Sequence, residues 1–411
     1  MNTLQVLVEI LIVLAFTFGC GRLTRRLSQP TVVGEIAGGL LLGPLVFGRI
    51  APALQARVFT VNAEDALHTL SRIGLVLFLF LIGAELDLSA IRHRKRVVSA
   101  ITAGSMLLPF AFGLAVAPQL WRRFPSSHGF TAFALLTGTA MSITALPVLA
   151  SVLRERAASG HPEQQDTASI ALLSASVNDA LGWCVLSVLL VLVHRTGGWS
   201  AVVINLCCLS LFVAAMLYLM RPLLQRLLNV LPTWLMGAVV LVLAFSSARL
   251  TEKFGVHPFC GALLAGLCTP RSANNSFLLW MQRTFHPVIR LTLPLFFALT
   301  GLHMEPGVFQ RSGLLSLVVI VVVAVTGKIL GATTMARLSG LQMQQAWRLG
   351  LLLNTRGLVE LILLDVGYRE GIFTAALFTL FVLMALLTTG MTGPLLNLHE
   401  EFMLPKSAES Q

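Results

Sequence analysis

The chain has 411 residues, 56% of them hydrophobic and only 11% charged, and its 29 Lys and Arg against 18 Asp and Glu give a formal charge of +11. Soluble domains average about half apolar and a quarter charged residues, so this chain lacks the polar surface to cover a soluble fold of its length. Long apolar runs from end to end place it in lipid and exclude a secreted disulfide scaffold, a nucleic-acid binder and a large aqueous catalytic domain. Cys20, Cys184, Cys207, Cys208, Cys260 and Cys268 lie in or beside these runs without a CxxC pair, which predicts buried free thiols. The first run follows an almost uncharged N-terminus and lacks an A-x-A site, so no cleavable signal peptide is expected.

Apolar stretches able to cross about 30 Å of hydrocarbon fall near 4–21, 30–48, 69–88, 97–118, 128–153, 166–193, 199–220, 233–250, 255–270, 285–303, 313–336, 344–367 and 373–397. Thirteen spans are therefore predicted, the second and ninth short. All must be helices, because each segment has to satisfy its own backbone groups in lipid. Basic residues test the count. One side of the alternating connections, beginning with Arg22, Arg25 and Arg26, collects 17 of the 29; the other side holds 10; Lys328 and Arg356 fall inside spans. By the positive-inside rule this predicts a multi-pass protein of the plasma (cytoplasmic) membrane, N-terminus outside and C-terminus in the cytoplasm. Residues 1–398 form the transmembrane domain and 399–411 a short cytoplasmic tail.

An odd count allows spans one to six and eight to thirteen to be two inverted six-helix repeats around a single linker span, as in many secondary transporters. Span five then corresponds to twelve, and six to thirteen. Spans five and twelve are both interrupted, by Thr137-Gly138-Thr139-Ala140-Met141-Ser142-Ile143-Thr144-Ala145-Leu146-Pro147 and by Asn354-Thr355-Arg356-Gly357. Polar and Gly/Pro interruptions at matching places mark a transport site. The competing reading is a proline kink at Pro147.

A charge at mid-bilayer costs about 2.5–3.5 kcal/mol even on lenient scales, so each one needs a reason. Asp179 lies about 20 Å into span six at 1.5 Å per residue, within Ser174-Ala175-Ser176-Val177-Asn178-Asp179-Ala180. A carboxylate there holds a proton or a metal cation but not both, which suffices for coupled exchange. Hard cations take oxygen ligands, and Asp179, the Asn178 amide, Ser142, Thr144 and freed carbonyls of span five supply them. The alternative is an Asp179–Lys328 pair that only holds helices together. Lys328, deep in span eleven, is expected to neutralise Asp179 or the ends of the interrupted helices. Arg356 and Glu360, four apart, should share one helical face as a structural ion pair. Glu35, Glu85 and Asp87 lie nearer span ends, with Asp87 solvated. The frames Gly34/Gly38 and Gly39/Gly43 predict close helix packing, within the chain or between protomers. His257 is expected to make a hydrogen bond at a helix terminus.

An ordered set of segments now resembles a known family. It comprises Gln29-Pro30-Thr31-Val32-Val33-Gly34-Glu35, Leu41-Leu42-Gly43-Pro44, Leu79-Phe80-Leu81-Ile82-Gly83-Ala84-Glu85-Leu86-Asp87, Ser142-Ile143-Thr144-Ala145, Val177-Asn178-Asp179, Leu293-Pro294-Leu295-Phe296-Phe297, Gly327-Lys328 and Asn354-Thr355-Arg356-Gly357-Leu358-Val359-Glu360-Leu361. Across residues 5–397 the chain resembles the monovalent cation:proton antiporter-2 family, most of all the plant cation/proton exchanger branch and its bacterial relatives. The resemblance implies an all-α polytopic membrane protein of the sodium/proton antiporter type, with two crossing broken helices. It also implies a homodimer whose dimerisation part is mainly spans 1–3 and 8–10 and whose mobile core is mainly spans 4–6 and 11–13. By matched motif, Asp179 corresponds to the ion-binding aspartate, Asn178 to its neighbour and Lys328 to the buried basic residue, and Thr144 lies in the first crossing helix.

Exchange of Na⁺ or K⁺ for H⁺ by an elevator-like movement follows, with the cation bound transiently at Asp179 and no cofactor. Many electrogenic members carry two adjacent aspartates where this chain has Asn178 before Asp179, so electroneutral exchange of one proton per cation is expected. About 14 residues follow the last span, too few for a nucleotide-sensing domain. The same fold moving an organic solute, or serving as a potassium-efflux pathway, is the alternative. An intramembrane aspartyl protease would need a second carboxylate facing Asp179 and is not expected; the chain is read as no enzyme.

Overall fold

The computed structural model describes residues 3–26, 31–59, 61–85, 94–158, 160–193, 198–254, 257–270 and 276–403. Among them there is no strand. The helices are α1 (Thr3–Arg26), α2 (Thr31–Leu41), α3 (Phe47–Ile50), α4 (Pro52–Val58), α5 (Val61–Glu85), α6 (Lys95–Arg123), α7 (Phe130–Ser142), α8 (Leu146–Ala158), α9 (Gln165–Val193), α10 (Gly198–Ala215), α11 (Arg221–Val230), α12 (Thr233–Lys253), α13 (Pro258–Cys268), α14 (Ser276–Leu302), α15 (Arg311–Leu338), α16 (Met343–Leu353), α17 (Leu358–Arg369) and α18 (Ala375–Met403).

Ten stretches among the described residues are long and apolar enough to cross a membrane, α7 with α8 counting as one path. The other three predicted spans are shorter pieces. Helices α2 and α13 have 11 residues each, which reach about 16 Å at 1.5 Å per residue. Span twelve is divided between α16 and α17. The exact count of thirteen is therefore not confirmed among the described residues, where the short second and ninth spans appear as α2 and α13. The final helix continues to Met403, beyond the predicted start of the tail.

The chain divides into two compact units, one of residues 1–14, 53–88 and 183–299, the other of 15–52, 89–182 and 300–411. In the first, α5 and α13 run at backbone contact. A side chain on Gly266 would meet the Phe80 carbonyl, and one on Gly83 the Leu263 carbonyl; in lipid, where apolar burial adds little between helices, such close approach is what associates them. Phe80, Met236, Met281, Phe285 and Ile289 fill the surrounding core. A π-helical turn at Met216–Met220 joins α10 to α11, and Cys268 Sγ donates to the Met216 carbonyl at 3.2 Å. All six cysteines are free; Cys268 is buried, Cys20, Cys208 and Cys260 are half-buried, and Cys184 and Cys207 are exposed, so the expectation of buried thiols holds in full only for Cys268. His257 occupies the N-cap position of α13, where its carbonyl accepts the Cys260 N–H at 3.0 Å and its ring lies 4.4 Å from that of Phe259.

In the second unit α6 and α15 meet at Gly104 and Gly331, each facing the other's carbonyl. Gly34 and Gly38 of α2 pack against Thr17, Cys20 and Gly21 of α1, while Gly39 and Gly43 meet Gly301. The glycine frames thus serve packing within the chain. Arg156 reaches Glu400 at 2.7 Å, and Arg348 reaches Glu163 at 3.2 Å and Glu400 at 3.3 Å. Burial cannot leave such charges single, and the network ties together the ends of α8, α16 and α18.

Candidate functional site

The first interruption is a true break. Helix α7 stops at Ser142, Ile143 is extended (φ −69°, ψ 141°), and α8 begins at Leu146. Pro147 does not kink a continuous helix; it sits in the first turn of α8, where its missing N–H has no carbonyl to serve. Asn178 and Asp179, adjacent on α9, take up the N–H groups the break leaves over. Thr144 N–H donates to Asn178 Oδ1 at 3.1 Å and Leu146 N–H to Asp179 Oδ2 at 3.1 Å. The Asn178 amide lies 3.5 Å from both Ser105 Oγ and the Ser142 carbonyl. Asp179 is 2% exposed, and its Oδ1 is buried with no hydrogen-bond partner. A carboxylate at a helix N-terminus is stabilised by the half-helix dipole, and the second oxygen remains an unused acceptor.

The second break runs from Asn354 to Gly357, between α16 and α17. Arg356 corrects the expectation of a shared helical face: it lies in the non-helical stretch, with Glu360 in the first turn of α17. The two still pair at 3.1 Å, wholly buried. The guanidinium also donates to the carbonyls of Ala140 and Met141, each at 2.6 Å, and so closes the C-terminal end of α7. The breaks are bonded to each other, since Ala145 N–H reaches the Thr355 carbonyl at 3.2 Å and Thr144 Oγ1 the Leu353 carbonyl at 3.0 Å.

Lys328, fully buried on α15, donates its ammonium to the Ser142 carbonyl and is not in ion-pair contact with Asp179. Cations thus sit at the C-terminal end of α7 and a carboxylate at the N-terminal end of α8, each where the half-helix dipole favours it. Ser142 contributes its carbonyl; its hydroxyl turns back to Thr139 at 2.9 Å.

All seven predicted residues therefore gather at the two breaks. Three others were not foreseen: Ser105, and Thr388 and Thr389 on α18. Thr389 Oγ1 accepts the Arg356 N–H at 2.9 Å and donates to the Arg356 carbonyl at 2.8 Å, and Asn354 Nδ2 donates to the Thr388 carbonyl at 3.3 Å. Aligning span thirteen residue by residue on span six would have found the threonines; a lone serine on an apolar helix carries no such signal. Glu85, in the first unit, accepts from Gln282 at 2.7 Å, and Asp87, Gln29 and Pro30 lie outside the described residues. Among the described residues no three His, Cys, Asp or Glu are grouped to hold a metal ion.

The sequence profile described as "Sodium/hydrogen exchanger, transmembrane" matches residues 12–398. The chain is 34% identical over 404 residues to the Na(+)/H(+) antiporter NhaS4 of Synechocystis sp., covering 96% of this chain and 97% of that protein. It is 32% identical over 398 residues to Cation/H(+) antiporter 17 of Arabidopsis thaliana, covering 95% of this chain and 47% of that one. With K(+)/H(+) antiporter 1 of Saccharomyces cerevisiae it shares 31% over 387 residues, 90% of this chain and 44% of the other. The chain thus spans about half the length of these plant and yeast relatives. Among solved structures it is similar to the sodium proton antiporter MjNhaP1 of Methanocaldococcus jannaschii, with a TM-score of 0.63, 15% identity and 97% of both chains covered; at that identity the likeness concerns the fold.

Proposed function

The chain belongs to the transmembrane sodium/hydrogen exchanger family, and from that premise we propose that it is a secondary antiporter exchanging Na⁺ or K⁺ for H⁺ at Asp179. The observation that carries this reading is Asp179 Oδ1, an acceptor buried without a partner, while Oδ2 of the same group is fixed at the start of α8. A proton and a desolvated alkali ion compete for that oxygen. Asn178 cannot carry a charge; it supplies an amide oxygen that holds Thr144. With one carboxylate in the pair, the exchange is electroneutral, one proton per cation. Of the three other buried charges beside it, Arg356 and Glu360 neutralise each other, which keeps them out of the cycle, and Lys328 is held on the Ser142 carbonyl.

The proposed cycle is alternating access by an elevator-like movement of the part that holds both breaks. The resemblance supports this, as it supports a homodimer. The charge bias of the loops supports a plasma-membrane location with the N-terminus outside. The protein acts as a transporter, without a catalytic residue.

Reconstitution tests the reading. Pure protein in liposomes containing a pH dye should release an imposed proton gradient when Na⁺ or K⁺ is added, and Asp179→Asn should abolish the response. A wild type silent to Na⁺, K⁺ and Li⁺ would overturn it in favour of another solute.

A further inference from the structure

The two breaks are copies of one another. A shift of 210 residues, the difference between 375 and 165 and again between 403 and 193, carries α9 onto α18 end for end. The same shift carries Thr144, Leu146, Asn178 and Asp179 onto Asn354, Arg356, Thr388 and Thr389. The hydrogen bonds obey it too. Leu146 N–H reaches the Asp179 carboxylate 33 residues ahead, and Arg356 N–H reaches the Thr389 hydroxyl 33 residues ahead. Thr144 is joined to Asn178, and Asn354 to Thr388, across 34 residues each.

We infer that Thr389 is a positioning residue for the exchange, the neutral repeat mate of Asp179. It holds the second break in one geometry so that only the first break loads and unloads. This rests on the antiport reading above. The chemistry of the two mates explains the division of labour. A carboxylate only accepts, so Asp179 leaves an oxygen open to a passing cation. A hydroxyl both accepts and donates, and Thr389 uses both functions on the same residue, closing the N–H and the carbonyl of Arg356 together. It stands in for the helical turn the break lacks and leaves neither backbone group of Arg356 free for an ion. Arg356, fixed by its own backbone, then places its guanidinium on the Ala140 and Met141 carbonyls, at the end of the helix that leads into the first break. Thr389 thus governs the ion site without touching it.

The test compares Thr389→Val, which keeps the shape and removes both bonds, with Thr389→Ser, which keeps the hydroxyl. The control is Thr251→Val, a buried hydroxyl bonded only within its own helix. In proteoliposomes Thr389→Val should lose about tenfold in turnover, the scale on which small misplacements act, and Thr389→Ser and the control should stay near wild type. The amides of residues 354–357 should exchange hydrogen faster in Thr389→Val but not in Thr389→Ser. Should Thr389→Val not be recovered folded, Thr389→Cys, a weaker donor, should show the same two changes. Turnover and amide exchange like wild type in the Val or Cys variant would overturn the inference, as would an equal loss in Thr251→Val. A wild type that exchanges no cation would overturn the antiport reading instead, and the amide-exchange comparison would still decide the role of Thr389.

Discussion

Ala145 donates its backbone N–H to the carbonyl of Thr355 at 3.2 Å, and these two residues are repeat mates under the 210-residue shift. The breaks therefore meet at equivalent points, and neither could be extended in isolation: each supplies partners for backbone groups the other leaves unsatisfied. In lipid an unpaired N–H or carbonyl costs several kcal/mol, so the pairing makes two non-helical stretches tolerable at membrane depth.

Asp179→Asn should reduce cation-driven proton movement to the leak of protein-free vesicles, while the protein remains folded, because the amide oxygen still accepts the Leu146 N–H. In the proposed exchange, proton and cation compete for one oxygen of Asp179. Where the site is mainly protonated, each unit fall in pH should therefore raise the half-saturating cation concentration about tenfold, as reciprocal linkage requires. Antiport rates measured across a pH series at several cation concentrations check both statements.

Asn178→Asp adds a second carboxylate beside the first, next to Thr144. The exchange should become sensitive to membrane potential, in contrast to the wild type. Rates under valinomycin-imposed potentials of both signs provide the comparison, and a potential-dependent wild type would contradict electroneutral exchange.

Lys328→Met removes a positive charge from the neighbourhood of the site and leaves the Ser142 carbonyl unpaired. Less repulsion means tighter holding of any bound cation, so half-saturation should fall together with turnover. A simultaneous rise in both would contradict this electrostatic role. Transport kinetics beside a thermal-shift measurement separate it from loss of folding.

Glu360→Gln leaves the Arg356 guanidinium buried without its counter-charge. Breaking a buried pair from one side costs about 3–5 kcal/mol, so the variant should melt well below the wild type in detergent. Arg356→Lys should also be destabilised, because one ammonium cannot reproduce the planar fork on the two carbonyls and the carboxylate.

Gly266→Val tests the packing of α5 on α13. The new side chain must displace the Phe80 carbonyl, and overpacking of this kind typically costs about 1–3 kcal/mol. A lower melting temperature is expected, with proton coupling retained in whatever folded protein is recovered.

The amino-acid sequence alone determined that the chain is a helical membrane protein. It also determined that its halves correspond, and that Asp179, Lys328, Arg356 and Glu360 need partners. Those conclusions follow from composition and spacing, because lipid penalises each misplaced polar group separately. Tertiary structure decided who the partners are. Lys328 turns to the Ser142 carbonyl instead of to Asp179, Arg356 leaves its helix to close the end of α7, and Pro147 starts a helix where a kink was the alternative. The unforeseen Thr388 and Thr389 act through hydroxyl and backbone groups whose directions depend on how α18 lies against the second break. Linear spacing cannot encode such contacts, since they join residues more than thirty positions apart whose approach is fixed only once the helices have packed.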